Sequence, residues 1–370
     1  MRICYLGDAQ SAHMQKWAQY YSSQGHDVLV ISSRMASLGR AEVVQLPKAR
    51  LGKLAYVISL PRVSKIVHSF NPDILHGHYV TSYGGMTGRI GLNPFLLSAW
   101  GSDVLDTLPG SGMKSALIRW FDAPALRNAR YITVESPALI EPLLRLGVQA
   151  ENITVIPWGV DVDVFKPGYS EEVARLRSAL SISPDSRVVL SMRSTKPVYS
   201  TILILEAFAK LRGEISDIIL VLLAGTRDTR YYERVLDYIA SEGLASAVRI
   251  IDYALAPSQM AALINLSDVV VSVPQWDSLS VSVLEAAACC RPLVLSRIPA
   301  NEELLLSGIT ADLVELNASQ LSAALQQLML ASGVSGLDRN RALIDSQYSW
   351  TRSAERMSEL YGNIISGKGE

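Results

Sequence analysis

Asp268-Val269-Val270-Val271-Ser272-Val273-Pro274-Gln275-Trp276-Asp277-Ser278-Leu279-Ser280-Val281-Ser282-Val283-Leu284-Glu285-Ala286-Ala287-Ala288 is the stretch from which the fold is read. Asp268 to Val273 is an apolar strand ended by Pro274, and the residues after it read as a helix opened by Ser and Asp. A strand running straight into a helix is half of a parallel-sheet unit with a crossover helix. The helix start offers amides without intrahelical acceptors and a partial positive charge, which suits an anion. Asp277 lies just outside the first turn and Glu285 about two turns in. A carboxylate on either side of a bound phosphate can take hydroxyls on both sides, the layout of sugar, diphosphate and ribose in a nucleotide-sugar. An ordinary N-cap and a solvated glutamate account for the same residues. Glu285, however, sits among Val281, Val283, Leu284, Ala286, Ala287 and Ala288. A carboxylate so placed needs a partner, and a ribose diol would be one.

Outward from this stretch, short apolar runs alternate with helical patterns along the whole chain, which predicts α/β architecture with parallel sheets. The predicted strands of the first half are Arg2–Leu6, Asp27–Ile31, Asp73–Gly77, Phe95–Ala99, Tyr131–Val134 and Thr154–Ile156. The alternation restarts with Arg187–Met192, Ile218–Ala224, Val248–Ile251, Val269–Val273 and Leu293–Ser296. Met14–Ser23 reads as a helix with Trp17, Tyr20 and Tyr21 on one face. Between the halves lies Pro157-Trp158-Gly159-Val160-Asp161-Val162-Asp163-Val164-Phe165-Lys166-Pro167-Gly168, whose prolines and glycines predict an ordered linker able to hinge. Residues 1–160 and 168–348 are then two Rossmann-like domains facing a cleft at the carboxyl ends of their strands. A last helix runs from Ser349 or Thr351 to Ile365.

The 370 residues exceed what one core usually organises. Apolar residues make up 49% and charged residues 19%, the composition of a globular enzyme rather than a disordered or fibrous chain. Cys4, Cys289 and Cys290 form no metal-like spacing and read as buried small hydrophobes in a reducing cytoplasm. No apolar run is long enough for a membrane span, and the N-terminus reads as a first strand rather than a signal peptide. Residues 1–160 carry 15 Lys and Arg against 10 Asp and Glu; residues 161–370 carry 19 against 25. Within 31–70, Arg34, Arg40, Lys48, Arg50, Lys53, Arg62 and Lys65 face one acid, Glu42. Interleaved with Leu46, Leu51, Leu54, Tyr56, Val57, Ile58 and Leu60, they suit an anionic membrane surface; a solvated helix face plus a loop suits them as well. With no nucleic-acid module and no overall basic charge, nucleic acid is not an expected partner.

These residues together resemble the retaining glycosyltransferases of the GT-B fold, family four (glycosyl transferases group 1), over nearly the whole chain. Asp277 to Glu285, continuing to Val294, looks like the family's pair of acids separated by seven residues. Ile156 to Asp161 with Phe165 and Pro167 looks like its interdomain linker. Asp73-Ile74-Leu75-His76-Gly77-His78 is similar to its central N-domain strand. Tyr348-Ser349-Trp350 looks like the start of the C-terminal helix, residues 349–370, that crosses back onto the first domain. The resemblance implies a nucleotide-diphosphate sugar held by the C-terminal domain and a glycan or lipid-linked acceptor held by the N-terminal domain. It further implies retained anomeric configuration and no need of a metal or other cofactor. Glu285 would then hold the ribose, Asp277 the donor sugar, and the amides of Leu279, Ser280 and Val281 the sugar or β-phosphate. Arg193 and Lys196 would meet the pyrophosphate, although the family's lysine falls slightly later, where this chain has Val198 or Tyr199. Tyr253 would lie by the nucleobase; it reads equally as a packed aromatic.

The chain departs from the family at four places. Asp277 stands for Glu, Cys290 for a usual Gly, and Trp158 for a common Asn. Trp100 takes the place of a histidine near the reacting centre. Asp103, in the same turn, is then the candidate to orient the acceptor hydroxyl, or else a simple helix cap. His76 and His78 share a face at a strand's carboxyl end, and His78 is a candidate catalytic group or a satisfied structural one. Gly7 would let backbone approach the donor phosphates, and His13 and Trp100 would touch the acceptor. Two further readings remain: a nucleotide-sugar epimerase, and a non-catalytic nucleotide-sugar-binding scaffold. The expected setting is cytoplasmic, peripheral to the inner face of the membrane, in polysaccharide or lipopolysaccharide assembly.

Overall fold

Alternating strands and helices form two parallel sheets. The computed structural model describes residues 1–47, 54–105, 113–331 and 333–367. The first sheet holds β1 (Arg2–Leu6), β2 (Asp27–Ser32), β3 (Glu42–Gln45), β4 (Ile74–His78), β5 (Phe95–Ser98), β6 (Tyr131–Val134) and β7 (Ile153–Val155) in the order β3-β2-β1-β4-β5-β6-β7. The second holds β8 (Arg187–Ser191), β9 (Ile218–Leu223), β10 (Val248–Ile251), β11 (Val269–Ser272), β12 (Leu293–Ser296) and β13 (Asp312–Val314) in the order β10-β9-β8-β11-β12-β13. β3 and β13 escape the sequence pattern. Both are short edge strands, half-buried for most of their length, so neither carries the continuous apolar run that marks a central strand.

The chain divides into two compact units, Met1–Pro157 with Glu355–Glu370, and Trp158–Ala354. In both sheets the strand order reverses between neighbours, β1 and β4 in one and β8 and β11 in the other, the place where open α/β sheets receive ligands. One device fixes each junction. An aspartate just before the later strand accepts a backbone amide of the earlier one: Asp73 from Arg2 at 2.7 Å, and Asp268 from Val188 at 2.7 Å. This pins the register Leu6↔Gly77 in one sheet and Val269↔Val189 in the other.

Within the first unit the end of helix Trp350–Ser366 is tied down by Tyr361. Its hydroxyl lies 3.0 Å from that of Tyr5 and 2.8 Å from His76 Nδ1, while Ser358 meets the Tyr21 hydroxyl at 3.1 Å. Within the second unit the linker is not a free strip. Val160 donates to Tyr348 O at 2.8 Å and accepts from Trp350 at 2.7 Å. A Cβ on Gly159 would lie 2.4 Å from Trp350 Cα, so only glycine lets the two backbones approach this closely. Arg341 then spans the carbonyls of Val162 at 2.9 Å and Ala288 at 3.1 Å, joining linker to helix end.

Cys4 and Cys289 are buried as expected, but Cys290 is half-buried. It sits one residue past the C-cap of helix Val281–Ala288 with φ +54. Its amide reaches Ala287 O at 3.0 Å and that of Arg291 reaches Ala286 O at 3.0 Å, the paired bonds of a Schellman motif. The left-handed residue of that motif is normally glycine.

Candidate active site

At the β8–β11 junction the polypeptide builds a cluster around Arg193. The residue leaves β8 at its carboxyl end, and its Nη2 donates to Asp277 Oδ2 at 2.6 Å. Nη1 reaches the hydroxyl of Ser280, the N-cap of helix Val281–Ala288, and more weakly that of Ser282 at 3.4 Å. The Tyr199 ring lies against the guanidinium, 4.3 Å from centroid to Cζ. The side chains of Arg193 and Asp277 are only 14% and 16% exposed. Burial pushes the Asp277 carboxyl above its ordinary value, and the Arg193 charge and the Ser278 amide pull it back. A cation pinned at a helix N-terminus, where amides lack acceptors, is an anion-binding arrangement.

Other residues expected here divide. Leu279 is buried in the core, Ser280 is buried, Val281 and Glu285 are half-buried one face along, and Tyr253 is 59% exposed beyond β10. Lys196 is exposed ahead of the turn Pro197–Tyr199, and among the described residues its side chain makes no ion pair with the cluster. The Tyr199 ring, rather than the Lys196 ammonium, lies against the Arg193 guanidinium.

The β1–β4 junction of the first unit is built differently. A pocket of about 490 Å³ opens there, with Asp8, Ser33, Arg34, Tyr79, Thr81 and Asp103 among its lining residues. Asp8 and Arg34 are bidentate partners, Nε to Oδ1 at 3.0 Å with a closer second contact. The β4 loop is strained: Tyr79 and Ser82 adopt φ +73 and +57. Asp103 holds that loop. Its carboxylate accepts the amides of Val80 at 2.6 Å and Trp100 at 2.9 Å, and burial raises its pKa to about 6. Both oxygens are thus committed to backbone, the capping reading of this residue rather than the one in which it orients an acceptor.

Residues 2–136 match the family described as glycosyl transferase 4-like, and residues 173–350 match the glycosyl transferases group 1 family. The chain belongs to the glycosyltransferases, its two halves matching these two families. The D-inositol 3-phosphate glycosyltransferase of Paenarthrobacter aurescens is 26% identical over 345 residues, 87% of this chain and 81% of the relative. A glycosyltransferase of Rickettsia africae superposes with a TM-score of 0.82 at 17% identity, over 100% of this chain and 99% of that one. Anabaena HepE, solved with UDP and glucose, also gives 0.82 at 17% identity, over 98% and 100%. Both likenesses are of fold, and they place the chain in the GT-B class.

Against that family pattern, the first unit's histidines are instructive. His76 is fully satisfied, by Tyr361 at 2.8 Å and Ser98 Oγ at 2.8 Å, and burial lowers its pKa to about 3. His78 is 2% exposed, and its Nε2 has no hydrogen-bond partner among the described residues. Burial, with His76 and His13 nearby, holds it well below the usual histidine range, so it is neutral at pH 7. Trp100, standing for the usual imidazole, stacks on His13 at 4.3 Å and lies 5.3 Å from His78. Gly7 has a packing reason: a Cβ there would lie 2.3 Å from Met14 Cε and 3.0 Å from His78 Cβ. Sequence reasoning does not single out Tyr199, Ser282, Arg34 or Tyr79 as site residues. The hydroxyl-rich run Tyr79-Val80-Thr81-Ser82-Tyr83 after a central strand is the available signal for the pocket.

Proposed function

We propose that this chain moves a sugar from a nucleoside-diphosphate donor to a hydroxyl of a glycan or lipid-linked glycan, with retention of anomeric configuration. The observation that carries this reading is Arg193 held at the N-terminus of helix Val281–Ala288 by Asp277 and Ser280. UDP and glucose in HepE support a donor of this class. The sugar C1–O bond to the diphosphate breaks, and the acceptor oxygen bonds C1 on the same face. The acceptor's proton leaves with the departing phosphate oxygen. Arg193 and the helix amides meet the charge that develops on the diphosphate, in place of a divalent ion. Glu285 takes the ribose, Asp277 the donor sugar, and Tyr253 the base, while the pocket lined by Asp8, Arg34 and Tyr79 receives the acceptor.

In this reading the enzyme works in the cytoplasm against an anionic membrane face. Helix Leu54–Phe70 supports this with Ile58, 62% exposed, and exposed Arg62 and Lys65 along one stripe. Lys48, Arg50 and Lys53 lie outside the described residues. No described helix is long and apolar enough to cross a membrane.

The test is turnover of a panel of nucleotide-sugars with EDTA present, followed by NMR assignment of the product anomer. Arg193→Ala should lower kcat by about 10²-fold or more, as loss of a charge-stabilising donor does. Glu285→Ala should act chiefly on donor KM. A wild type that binds a nucleoside diphosphate yet neither transfers nor hydrolyses any donor would establish the scaffold reading instead. Vesicle co-sedimentation at low salt tests the membrane contact.

A further inference from the structure

We infer that Tyr199 is a positioning residue for the diphosphate grip, acting through Arg193; the inference rests on the donor reading above. Four constraints hold the guanidinium. Asp277 takes Nη2 at 2.6 Å, Ser280 and Ser282 take Nη1, and the Tyr199 ring covers one face at 4.3 Å. The first three act along the edge. Among the described contacts, the Tyr199 ring is the one on the face of the guanidinium, and it stops the plane from tilting away from the helix N-terminus.

Tyr199 is itself fixed. It ends the turn Pro197–Tyr199, whose first residue is a proline, and its amide reaches Lys196 O at 3.0 Å. The adjoining Val198 carbonyl accepts from Gln275, in the loop after β11, at 2.8 Å. Ser200, next in the chain, is left-handed with φ +53, so the ring is held by a turn that a non-glycine residue adopts only under constraint. The ring therefore travels with the loop that carries Asp277, and Arg193 is gripped between the two.

The physical consequence is preorganisation. A free arginine surrenders its rotamer freedom on meeting a phosphate; here that freedom is already lost before the ligand arrives. The aromatic face adds attraction to the cation without adding charge that would compete for Asp277. A plain apolar shelf would give the packing but not the attraction, and the two are separable by substitution.

The experiment is calorimetric titration with UDP, GDP and ADP of wild type, Tyr199→Phe, Tyr199→Leu, Arg193→Ala and the Tyr199→Leu/Arg193→Ala double variant, with thermal unfolding as a fold check. Tyr199→Phe should stay within about twofold of wild type. Tyr199→Leu should bind the preferred diphosphate about 5- to 30-fold more weakly, the loss expected of a largely buried cation–π contact. In the Arg193→Ala background the same change should have no further effect. Should Tyr199→Leu unfold, Tyr199→Gln replaces it with the same expectation. Binding by Tyr199→Leu within twofold of wild type, or an equal loss with and without Arg193, overturns the inference alone. A wild type that binds none of the three diphosphates overturns the donor reading and this inference with it.

Discussion

The Arg193–Asp277 pair can be weighed by removing one charge, with Asp277→Asn. Asp277 Oδ2 and Arg193 Nη2 are 2.6 Å apart and both side chains are largely buried. At an effective dielectric of 20, unit charges about 4 Å apart gain about 4 kcal/mol. Taking both out of water costs a comparable amount. The carboxyl of Asp277 reports which effect wins: burial raises it, and Arg193 only partly reverses the rise. Desolvation therefore offsets part of the pair's attraction, and a diphosphate arriving at the helix N-terminus competes with Asp277 for the same cation. The remaining obstacle is the carboxylate itself, a like charge next to the phosphate.

Asparagine keeps the shape and one acceptor while removing that charge. Binding of the diphosphate should tighten by roughly 1–2 kcal/mol, about 5- to 30-fold in Kd. Turnover should fall, because the donor sugar loses an anionic acceptor. The variant should also melt lower when empty, with an uncompensated guanidinium inside, and recover more on adding ligand than wild type does. Calorimetry and ligand-dependent melting read both quantities. If Asp277→Asn binds the diphosphate as poorly as Arg193→Ala, Asp277 assists rather than opposes the phosphate, and the reasoning fails.

Two other residues, both outside the cluster, have measurable consequences. The pKa of Asp103 is raised in the fold from 3.8 to about 6, so its contribution to stability is fully present below pH 3.8 and is lost as pH rises through about 6. That rise is worth roughly 3 kcal/mol; urea unfolding should show wild type losing up to that much relative to Asp103→Asn between pH 4 and 7, and a constant difference would refute the assignment. Cys290→Gly should stabilise the second unit by roughly 0.5–1 kcal/mol, because relief of the left-handed strain exceeds the entropy that glycine adds to the unfolded chain; a lower melting temperature would show that the half-buried thiol contributes more than the strain costs.

The sheets are legible in the sequence because central parallel strands are buried on both faces and read as uninterrupted apolar runs. Arg2–Leu6, Tyr131–Val134, Val248–Ile251 and Leu293–Ser296 coincide with the sequence expectation, while the edge strands β3 and β13 carry no such signal. Around the site, legibility tracks chain proximity. Asp277, Ser280 and Glu285 lie on one strand-to-helix turn and can be grouped from spacing alone. Arg193 meets Asp277 from 84 positions away, and the pairing needs the β8–β11 register. Asp103 is ambiguous in sequence because orienting an acceptor and capping a turn require the same residue in the same place. Only the amides of Val80 and Trp100 on its two oxygens distinguish the roles.

The departures from the family pattern share a physical theme. Among the described residues, Arg193 is the only basic side chain within the cluster, balanced by Asp277 and covered on one face by the Tyr199 ring. The charge left in excess is the partial charge of the helix N-terminus, roughly half a unit. A site of this kind attracts a diphosphate weakly from a distance and holds it by geometry once it has arrived. In the first unit the Trp100 ring, which does not titrate, stacks on His13 at 4.3 Å. In both units an aromatic face packs against a charged or titratable side chain, Tyr199 on Arg193 and Trp100 on His13, and so restricts where that side chain can go. Tyr199 and Trp100 are therefore expected to act on ligand placement through their shape, beside the charge effects expected of Arg193 and Asp277.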